Sequence, residues 1–175
     1  VAQAQPRRVL YLIDGLGMGG AERLLVPILQ YMDRTHFDVR VCTLQTKDGN
    51  PLAEDIRKLG VRVDFLPVHH LRDLSNLPRV VAYLKQEKID LLHTQLEFAN
   101  VLGGLAAAWL RIPVVTTLHN LYDPLWGARS LWRHWVMWGV LRYFFQRVIA
   151  VSEPTRLHHI DMGKLPPRKV ITLYN

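Results

Sequence analysis

The chain has 175 residues, of which 49% are hydrophobic and 21% are charged, and it contains a single cysteine, Cys42. This length fits one domain with its own core. A single cysteine excludes an internal disulfide. The sequence has no run of 18 apolar residues, so we predict no membrane span. Lys and Arg exceed Asp and Glu by 22 to 15, which gives a net charge of +7 and favours anionic partners. Because neither a basic run nor a nucleic-acid motif accompanies this charge, we do not expect nucleic-acid binding.

Apolar periodicity predicts strands and helices that alternate along the whole chain. The predicted strands cover 8–13, 37–43, 61–66, 89–93, 113–118, 147–151 and 169–173. The predicted helices cover 21–32, 51–59, 77–87, 97–110 and 129–146, with a last helix that begins at 153 and is stopped by Gly163. Short connections between such units predict an α/β fold, a Rossmann-like parallel sheet of about seven strands with helices on both faces. We treat residues 1–175 as one domain.

A glycine-rich turn joins the first predicted strand to the first predicted helix, and it includes Gly15, Gly17, Gly19 and Gly20. Glycines permit positive φ and remove the Cβ atoms that would keep a ligand from the backbone. The helix that follows presents unpaired N–H groups and the positive end of its dipole. The turn therefore predicts an anionic ligand that carries a phosphate.

The same glycines satisfy the G-x-G-x-x-G pattern of dinucleotide-binding proteins, which leaves a nicotinamide- or flavin-dependent oxidoreductase as an alternative. That pattern requires a carboxylate at the end of the second strand, where this chain has Leu44, Gln45, Thr46 and Lys47. A turn that only lets helix and strand pack closely is a further alternative. Glu22 is either a cleft residue or a group that caps the helix.

Five motifs follow the predicted strands in order: Gly19-Gly-Ala-Glu-Arg23, Leu91-Leu-His93, Thr116-Thr-Leu-His119, Ala150-Val-Ser-Glu153 and Lys169-Val-Ile-Thr-Leu-Tyr-Asn175. Together they cover nearly the whole chain. In this combination the sequence resembles the N-terminal domain of family 4 glycosyltransferases, which are retaining enzymes with the two-domain GT-B architecture.

This resemblance implies an acceptor-side domain that is completed, beyond Asn175, by a second domain that binds most of a nucleotide-diphosphate sugar. We expect the domain alone to be inactive. The resemblance implies no cofactor and no catalytic metal, with the nucleotide sugar as co-substrate. Adjacent histidines at 69–70 and 158–159 do not change this expectation, because neighbouring side chains point in different directions.

The resemblance also assigns roles to single residues. His119 matches a histidine that contacts the transferred sugar, so it is the predicted catalytic residue, although a histidine that bonds a strand-end carbonyl is the alternative. The predicted cleft residues are Gly17, Gly19, Gly20, Glu22, His93, Asn120, Ser152 and Glu153. For His93 a core position is an equal alternative, and helix capping explains Ser152 and Glu153 as well as a cleft role does.

A tryptophan-rich segment in the fifth predicted helix combines aromatic rings with basic side chains. Trp132, Trp135, Arg129 and Arg133 are predicted to contact a membrane surface, where rings and guanidinium groups meet lipid headgroups. The alternative is burial in the core or between domains, since a helix that is apolar nearly all round is more often buried.

The sequence thus predicts a glycosyltransferase domain that serves a lipid-linked or cell-envelope saccharide acceptor. Its expected location is the cytoplasm, including the inner face of a membrane as a peripheral protein. The alternative is a non-catalytic subunit that binds an acceptor or a membrane and pairs with a separate catalytic chain. Sugar, acceptor, linkage and oligomeric state are not predicted.

Overall fold

The protein is described here from a computed structural model, which covers residues 5–45, 49–68, 74–121 and 128–174. These residues contain one seven-stranded parallel sheet with the order β3-β2-β1-β4-β5-β6-β7. The strands are β1 (Arg7–Ile13), β2 (Phe37–Thr43), β3 (Arg62–Phe65), β4 (Leu91–Gln95), β5 (Val114–Leu118), β6 (Arg147–Ala150) and β7 (Val170–Thr172). The helices between them are α1 (Gly20–Gln30), α2 (Leu52–Lys58), α3 (Leu77–Gln86), α4 (Glu97–Leu110), α5 (Ala128–Phe144) and α6 (Glu153–Asp161). The predicted Rossmann-like fold is confirmed.

Strand β1 lies in the middle of the sheet, between β2 and β4, and both of its faces are buried. Val9, Tyr11 and Ile13 point into the core beneath α1 and α2. Leu10 and Leu12 point to the opposite side, into the core beneath α3, α4 and α5. A strand covered on both faces needs apolar residues at every position, which explains the unbroken apolar run in the sequence.

Strand β4 begins and ends two residues later than predicted, and this shift moves His93 from the strand end to its middle. The carboxylate of Asp90 accepts a 2.8 Å hydrogen bond from the backbone N–H of Arg8, and Ile89 bonds back to α3, so both residues belong to the turn. The strand then continues through Thr94 and Gln95, which are polar but fully buried. Because these two residues are polar, a prediction based on hydrophobic periodicity ends the strand too early.

A buried amide attaches α4 to the sheet. The Oδ1 atom of Asn100 accepts hydrogen bonds from the hydroxyls of Thr94, at 2.6 Å, and Thr116, at 2.7 Å. All three residues are fully buried, so each polar atom that lost its partner would be costly. This contact fixes α4 relative to the carboxyl ends of β4 and β5.

The remaining fold expectations concern Cys42 and membrane spans. Cys42 is buried in β2, as predicted, and burial raises the pKa of its thiol to about 12. Within the described ranges, no helix is long and apolar enough to cross a membrane.

Gly104 allows α4 to approach α5 closely, and the helix pair offers a matched test of this packing. A Cβ atom at Gly104 would lie 2.6 Å from Val140 Cγ1, whereas a Cβ atom at Gly139 in α5 would meet nothing within 4 Å. We expect Gly104→Ala to lower the free energy of unfolding by about 1–3 kcal/mol through overpacking. Gly139→Ala should raise it by up to about 1 kcal/mol through helix propensity. Urea unfolding checks both, and equal stability of the two variants would contradict the packing argument.

Candidate functional site

A cavity of about 250 Å³ opens at the carboxyl edge of the sheet, beyond β1, β4 and β5. This is the edge at which parallel α/β sheets bind their ligands. Side chains from the strand ends, the start of α4 and the inner faces of α5 and α6 line it. They are Asp14, Leu96, Glu97, Phe98, Asn100, Thr117, Leu118, His119, Asn120, Arg133, His134, Met137 and His159.

The carboxylate of Asp14, one residue beyond β1, holds the N-terminus of α4. It accepts hydrogen bonds from the backbone N–H groups of Ala99, at 2.6 Å, and Phe98, at 3.2 Å. Leu96, at the N-cap position of α4, has a positive φ of 73° and provides no side-chain cap. Asp14 therefore supplies from a distant strand the acceptor that the helix start needs.

The environment of Asp14 also favours its neutral form. The pKa of Asp14 is raised to about 7, chiefly by burial and less by the nearby carboxylates of Glu97 and Glu22, while the two backbone hydrogen bonds act in the opposite direction. The group can therefore gain or lose a proton near neutral pH. Our site prediction missed Asp14. The signal was a lone carboxylate placed directly after the central buried strand.

Glu97 and Arg133 form a two-point ion pair across the cavity wall. Arg133 Nε lies 2.8 Å from Glu97 Oε1, and Arg133 Nη2 donates to Glu97 Oε2 at 3.0 Å. The guanidinium also lies over the ring of Phe98, 5.9 Å from its centroid. Arg133 is therefore engaged at the cavity, and its predicted membrane contact stays a prediction.

His119 follows β5 directly, and its ring lies at the cavity. Its Nε2 atom is buried and makes no hydrogen bond to any residue in the described part of the chain. Burial lowers the pKa of His119 below its ordinary value, so the ring is neutral at physiological pH. A neutral imidazole nitrogen without a partner can donate to or accept from a ligand hydroxyl, according to its tautomer. The predicted role of His119 remains a prediction, with its geometry in favour.

Asn120 is exposed on the same cavity wall, and its backbone carbonyl forms a hydrogen bond with a buried side chain. The carbonyl lies 3.0 Å from Nε2 of His159, a side chain only 2% exposed. Trp138 Nε1 donates in turn to His159 Nδ1 at 2.9 Å. His159 was noted in the sequence only as half of a histidine pair, and no sequence signal showed this contact.

The glycine turn is built differently from the prediction. Gly17, Gly19 and Gly20 all have ordinary negative or extended backbone angles, so positive φ is not their function. At Gly19 a Cβ atom would collide with the carboxylate of Glu22, which lies across the turn, and at Gly17 it would lie 3.7 Å from that carboxylate. The missing Cβ at Gly19 thus makes room for Glu22. The cleft roles of these four residues stay predictions.

His93 is a core residue and does not line the cavity. Its ring stacks on Tyr11 with centroids 4.5 Å apart, and its Nε2 atom lies 2.9 Å from the hydroxyl of Thr117. Burial lowers the pKa of His93 to about 4, so the ring is neutral. The expectation of a strand-end residue facing the cleft is wrong because β4 runs two residues further.

Ser152 and Glu153 act as local structure at the start of α6. The hydroxyl of Ser152 accepts from the backbone N–H of Thr155 at 3.2 Å, as a helix cap does. Glu153 accepts from the hydroxyl of Thr172 at 2.6 Å and from Arg156 at 2.8 Å, and these bonds hold its pKa below the usual range. This is the capping alternative of the sequence analysis, and neither side chain lines the cavity.

The tryptophans of α5 divide between its two faces. Trp132 is 65% exposed and Trp135 is 49% exposed, whereas Trp138 is buried. The burial alternative therefore applies to Trp138, and membrane contact by Trp132 and Trp135 stays a prediction. The side chain of Arg129 and the residue pair 69–70 lie outside the described residues. Where side chains are described, no three potential ligands cluster as a metal site.

The fold is that of a Rossmann-like domain, the N-terminal half of the GT-B architecture. The family model "Glycosyltransferase Family 4" matches residues 18–175, and the chain belongs to this family.

Three relatives illustrate the family. A curated Escherichia coli protein, UDP-Gal:alpha-D-GlcNAc-diphosphoundecaprenol alpha-1,3-galactosyltransferase, is 28% identical over 109 residues, which are 59% of this chain and 27% of that protein. Anabaena HepE (Alr3699), solved in complex with UDP-glucose, is 25% identical with a TM-score of 0.78 over 96% of this chain and 43% of its own. A Rickettsia africae glycosyltransferase shares the fold at 17% identity, with a TM-score of 0.75 over 98% of this chain and 44% of its own. The chain thus spans less than half the length of each.

The raised pKa of Asp14 predicts a pH-dependent stability. The folded protein holds the Asp14 proton up to about pH 7, whereas the ordinary value is 3.8, so the unfolded chain releases it near pH 4. Stability from this group is fully present below pH 4 and declines as the pH rises to 7. Asp14→Asn, which cannot titrate, should lack this decline.

Urea unfolding of both proteins at pH 5 and pH 8 measures the effect. The lowered pKa values of His93 and His159 make stability rise with pH, but both histidines are present in both proteins. The difference between the two proteins in how the free energy of unfolding changes from pH 5 to pH 8 therefore reports Asp14. If the free energy of unfolding changed equally between pH 5 and pH 8 in both proteins, Asp14 would already be ionised at pH 5.

Proposed function

We propose that this chain is the acceptor-side domain of a retaining glycosyltransferase. In this proposal the full-length enzyme moves a sugar from a nucleotide-diphosphate sugar to a hydroxyl of a lipid-linked or cell-envelope saccharide. The observation that carries the proposal is the cavity at the carboxyl edge, where the neutral His119 presents a buried nitrogen that bonds to no described residue.

The charges of the cavity suit a hydroxyl-rich ligand better than a phosphate. Among the described residues that line it, Arg133 alone has a permanent positive charge, and Glu97 neutralises it. Asp14 and the carbonyl and amide groups of Asn120 add acceptors and donors for hydroxyl groups. This supports an acceptor or transferred sugar here, with the diphosphate bound elsewhere.

The chemistry that these residues offer is positioning and electrostatic stabilisation. His119 would bind a hydroxyl of the transferred sugar, and Asp14 in its ionised form would favour positive charge that develops on that sugar. The leaving phosphate, rather than a protein base, would take the acceptor proton. Closure by the second domain would exclude water and so limit hydrolysis. The proposal includes no catalytic metal.

The relatives support the two substrate classes. HepE was solved with UDP-glucose, which agrees with a nucleotide-sugar donor. The Escherichia coli relative acts on a diphosphoundecaprenol-linked sugar, which agrees with a lipid-linked acceptor at a membrane surface.

A membrane surface also fits the aromatic stripe of α5, which consists of Trp132, Trp135, Val136 and Tyr143. All four side chains are exposed, and helical spacing places them along one side of the helix. Arg142 lies over the Tyr143 ring, 6.0 Å from its centroid, and adds a positive charge beside the stripe. We propose that this stripe contacts anionic phospholipids on the inner face of the membrane.

A transfer assay on the full-length protein tests the function. It uses UDP-galactose and UDP-glucose with an undecaprenyl-diphosphate-linked sugar, and it records the anomeric configuration of the product by NMR. Retention of configuration, with activity that persists in EDTA, supports the proposal. Inversion would refute the retaining mechanism, loss of activity in EDTA would refute metal-free transfer, and acceptor binding without transfer would favour the non-catalytic subunit.

In the same assay we expect His119→Ala to lower kcat by about 100-fold or more, because a contact to the reacting sugar is lost. Its free energy of unfolding should change by less than about 1 kcal/mol, since His119 Nε2 bonds to no residue in the described ranges. His36→Ala, on the exposed turn before β2, is the matched control and should retain full activity. Unchanged turnover of a folded His119→Ala enzyme would remove His119 from the mechanism.

The membrane contact predicts that the double variant Trp132→Ser, Trp135→Ser loses most of its binding to vesicles of phosphatidylglycerol and phosphatidylethanolamine. Replacing these rings removes apolar area from the lipid contact. Trp109→Ser is the matched control, because Trp109 is 75% exposed but lies at the C-terminal end of α4. Cosedimentation measures binding, and an equal loss in both variants would contradict a specific role of the stripe.

A further inference from the structure

Three groups beneath the cavity form a continuous hydrogen-bonded chain. The indole N–H of Trp138 donates to Nδ1 of His159 at 2.9 Å, and Nε2 of His159 lies 3.0 Å from the carbonyl oxygen of Asn120. An indole nitrogen can only donate, and a carbonyl can only accept. His159 is therefore the neutral tautomer that carries its proton on Nε2 and donates it to Asn120.

We propose that His159 is a positioning residue for His119, acting through the backbone of Asn120. His119 lies between two fixed carbonyl groups. The carbonyl of Leu118 accepts from the backbone N–H of Val151 at 3.4 Å, and that of Asn120 accepts from His159. The Nε2 atom of His119 has no hydrogen bond of its own to a described residue, so the backbone on its two sides sets where the ring lies in the cavity.

The surroundings of His159 are built to hold this geometry. His159 is 2% exposed and Trp138 is 1% exposed, and their rings meet edge to face with centroids 6.1 Å apart. Gly163 closes the arrangement, because a Cβ atom there would lie 2.7 Å from both the Trp138 ring and the His159 carbonyl. A tightly enclosed imidazole with both nitrogens bonded has one orientation, which is what a positioning group requires.

This inference rests on the proposed function, and its test uses the full-length enzyme. His159→Phe keeps the volume but removes both hydrogen bonds, whereas His159→Gln retains an amide that can donate to the Asn120 carbonyl. We expect kcat per folded molecule to fall roughly 10- to 100-fold in His159→Phe, as a displaced catalytic ring predicts, with KM for the nucleotide sugar little changed. His159→Gln should recover most of that loss.

The control is Leu157→Gln, an exposed residue on the same helix, α6, that is not among the described lining residues. It should keep the wild-type kcat. A merely structural role of His159 would lower the melting temperature of His159→Phe and leave kcat of the folded fraction unchanged, and that result would overturn the proposal. An equal loss of kcat in Leu157→Gln would overturn it too.

A second measurement separates this proposal from the proposed function. In ¹⁵N-histidine NMR of the full-length protein, His159 should show the neutral tautomer protonated at Nε2, and His159→Phe should shift the His119 ring resonances. A wild-type enzyme that transfers no sugar but shows both signals refutes the function and supports the positioning role. A His159 protonated at Nδ1, or His119 resonances that do not move, refutes the positioning role whatever the activity.

Discussion

The contact between Asp14 and the N-terminus of α4 connects the end of β1 to the helix beside the cavity. Asp14 follows the central strand, and Ala99 and Phe98, its hydrogen-bond donors, begin the helix that covers β4 and β5. Because α4 starts at a residue with positive φ and no side-chain cap, its first N–H groups depend on this distant carboxylate. The cavity forms around the same contact, so its shape depends on an interaction of the core rather than of a loop.

The same contact places an acidic group where charge is costly. Burial disfavours the ionised carboxylate, while two backbone N–H groups and the helix dipole favour it. Nearby, His93 and His159 are held neutral by burial, and the Glu97–Arg133 pair cancels its own charge. The described lining of the cavity therefore carries little net charge, although the chain as a whole is basic. Such an interior suits ligands that offer hydroxyl groups.

The fold could be predicted from sequence because most strands are short apolar or alternating segments bounded by turns. The predicted bounds of β2 and α4 match the structure, and the alternating faces of β1 explain its composition. The prediction failed at β4, where Thr94 and Gln95 are buried polar residues of a strand. Hydrophobic periodicity carries no information about polar groups whose partners lie on neighbouring strands.

The site was predictable only where a residue follows a strand directly. His119 lies where its position at the end of β5 suggested, whereas Arg133 and His159 act through partners 36 and 39 residues away in the chain. Sequence spacing does not show such contacts, because they depend on how α5 and α6 pack on the sheet. The glycine turn was misread for a related reason. The missing Cβ atom was predicted to make room for a ligand, but at Gly19 it makes room for the side chain of Glu22.

The position of β1 at the centre of the sheet has a consequence for the order of folding. On one side β1 pairs with β2, which follows soon in the chain, and on the other it pairs with β4, which is synthesised much later. Asp14 likewise bonds to Ala99, which lies 85 residues further along the chain. During synthesis the first three strands and two helices can assemble early, with one side of β1 and a carboxylate still unpaired. Until α4 leaves the ribosome, that open strand edge is the part of the nascent chain most exposed to wrong pairing and to chaperones.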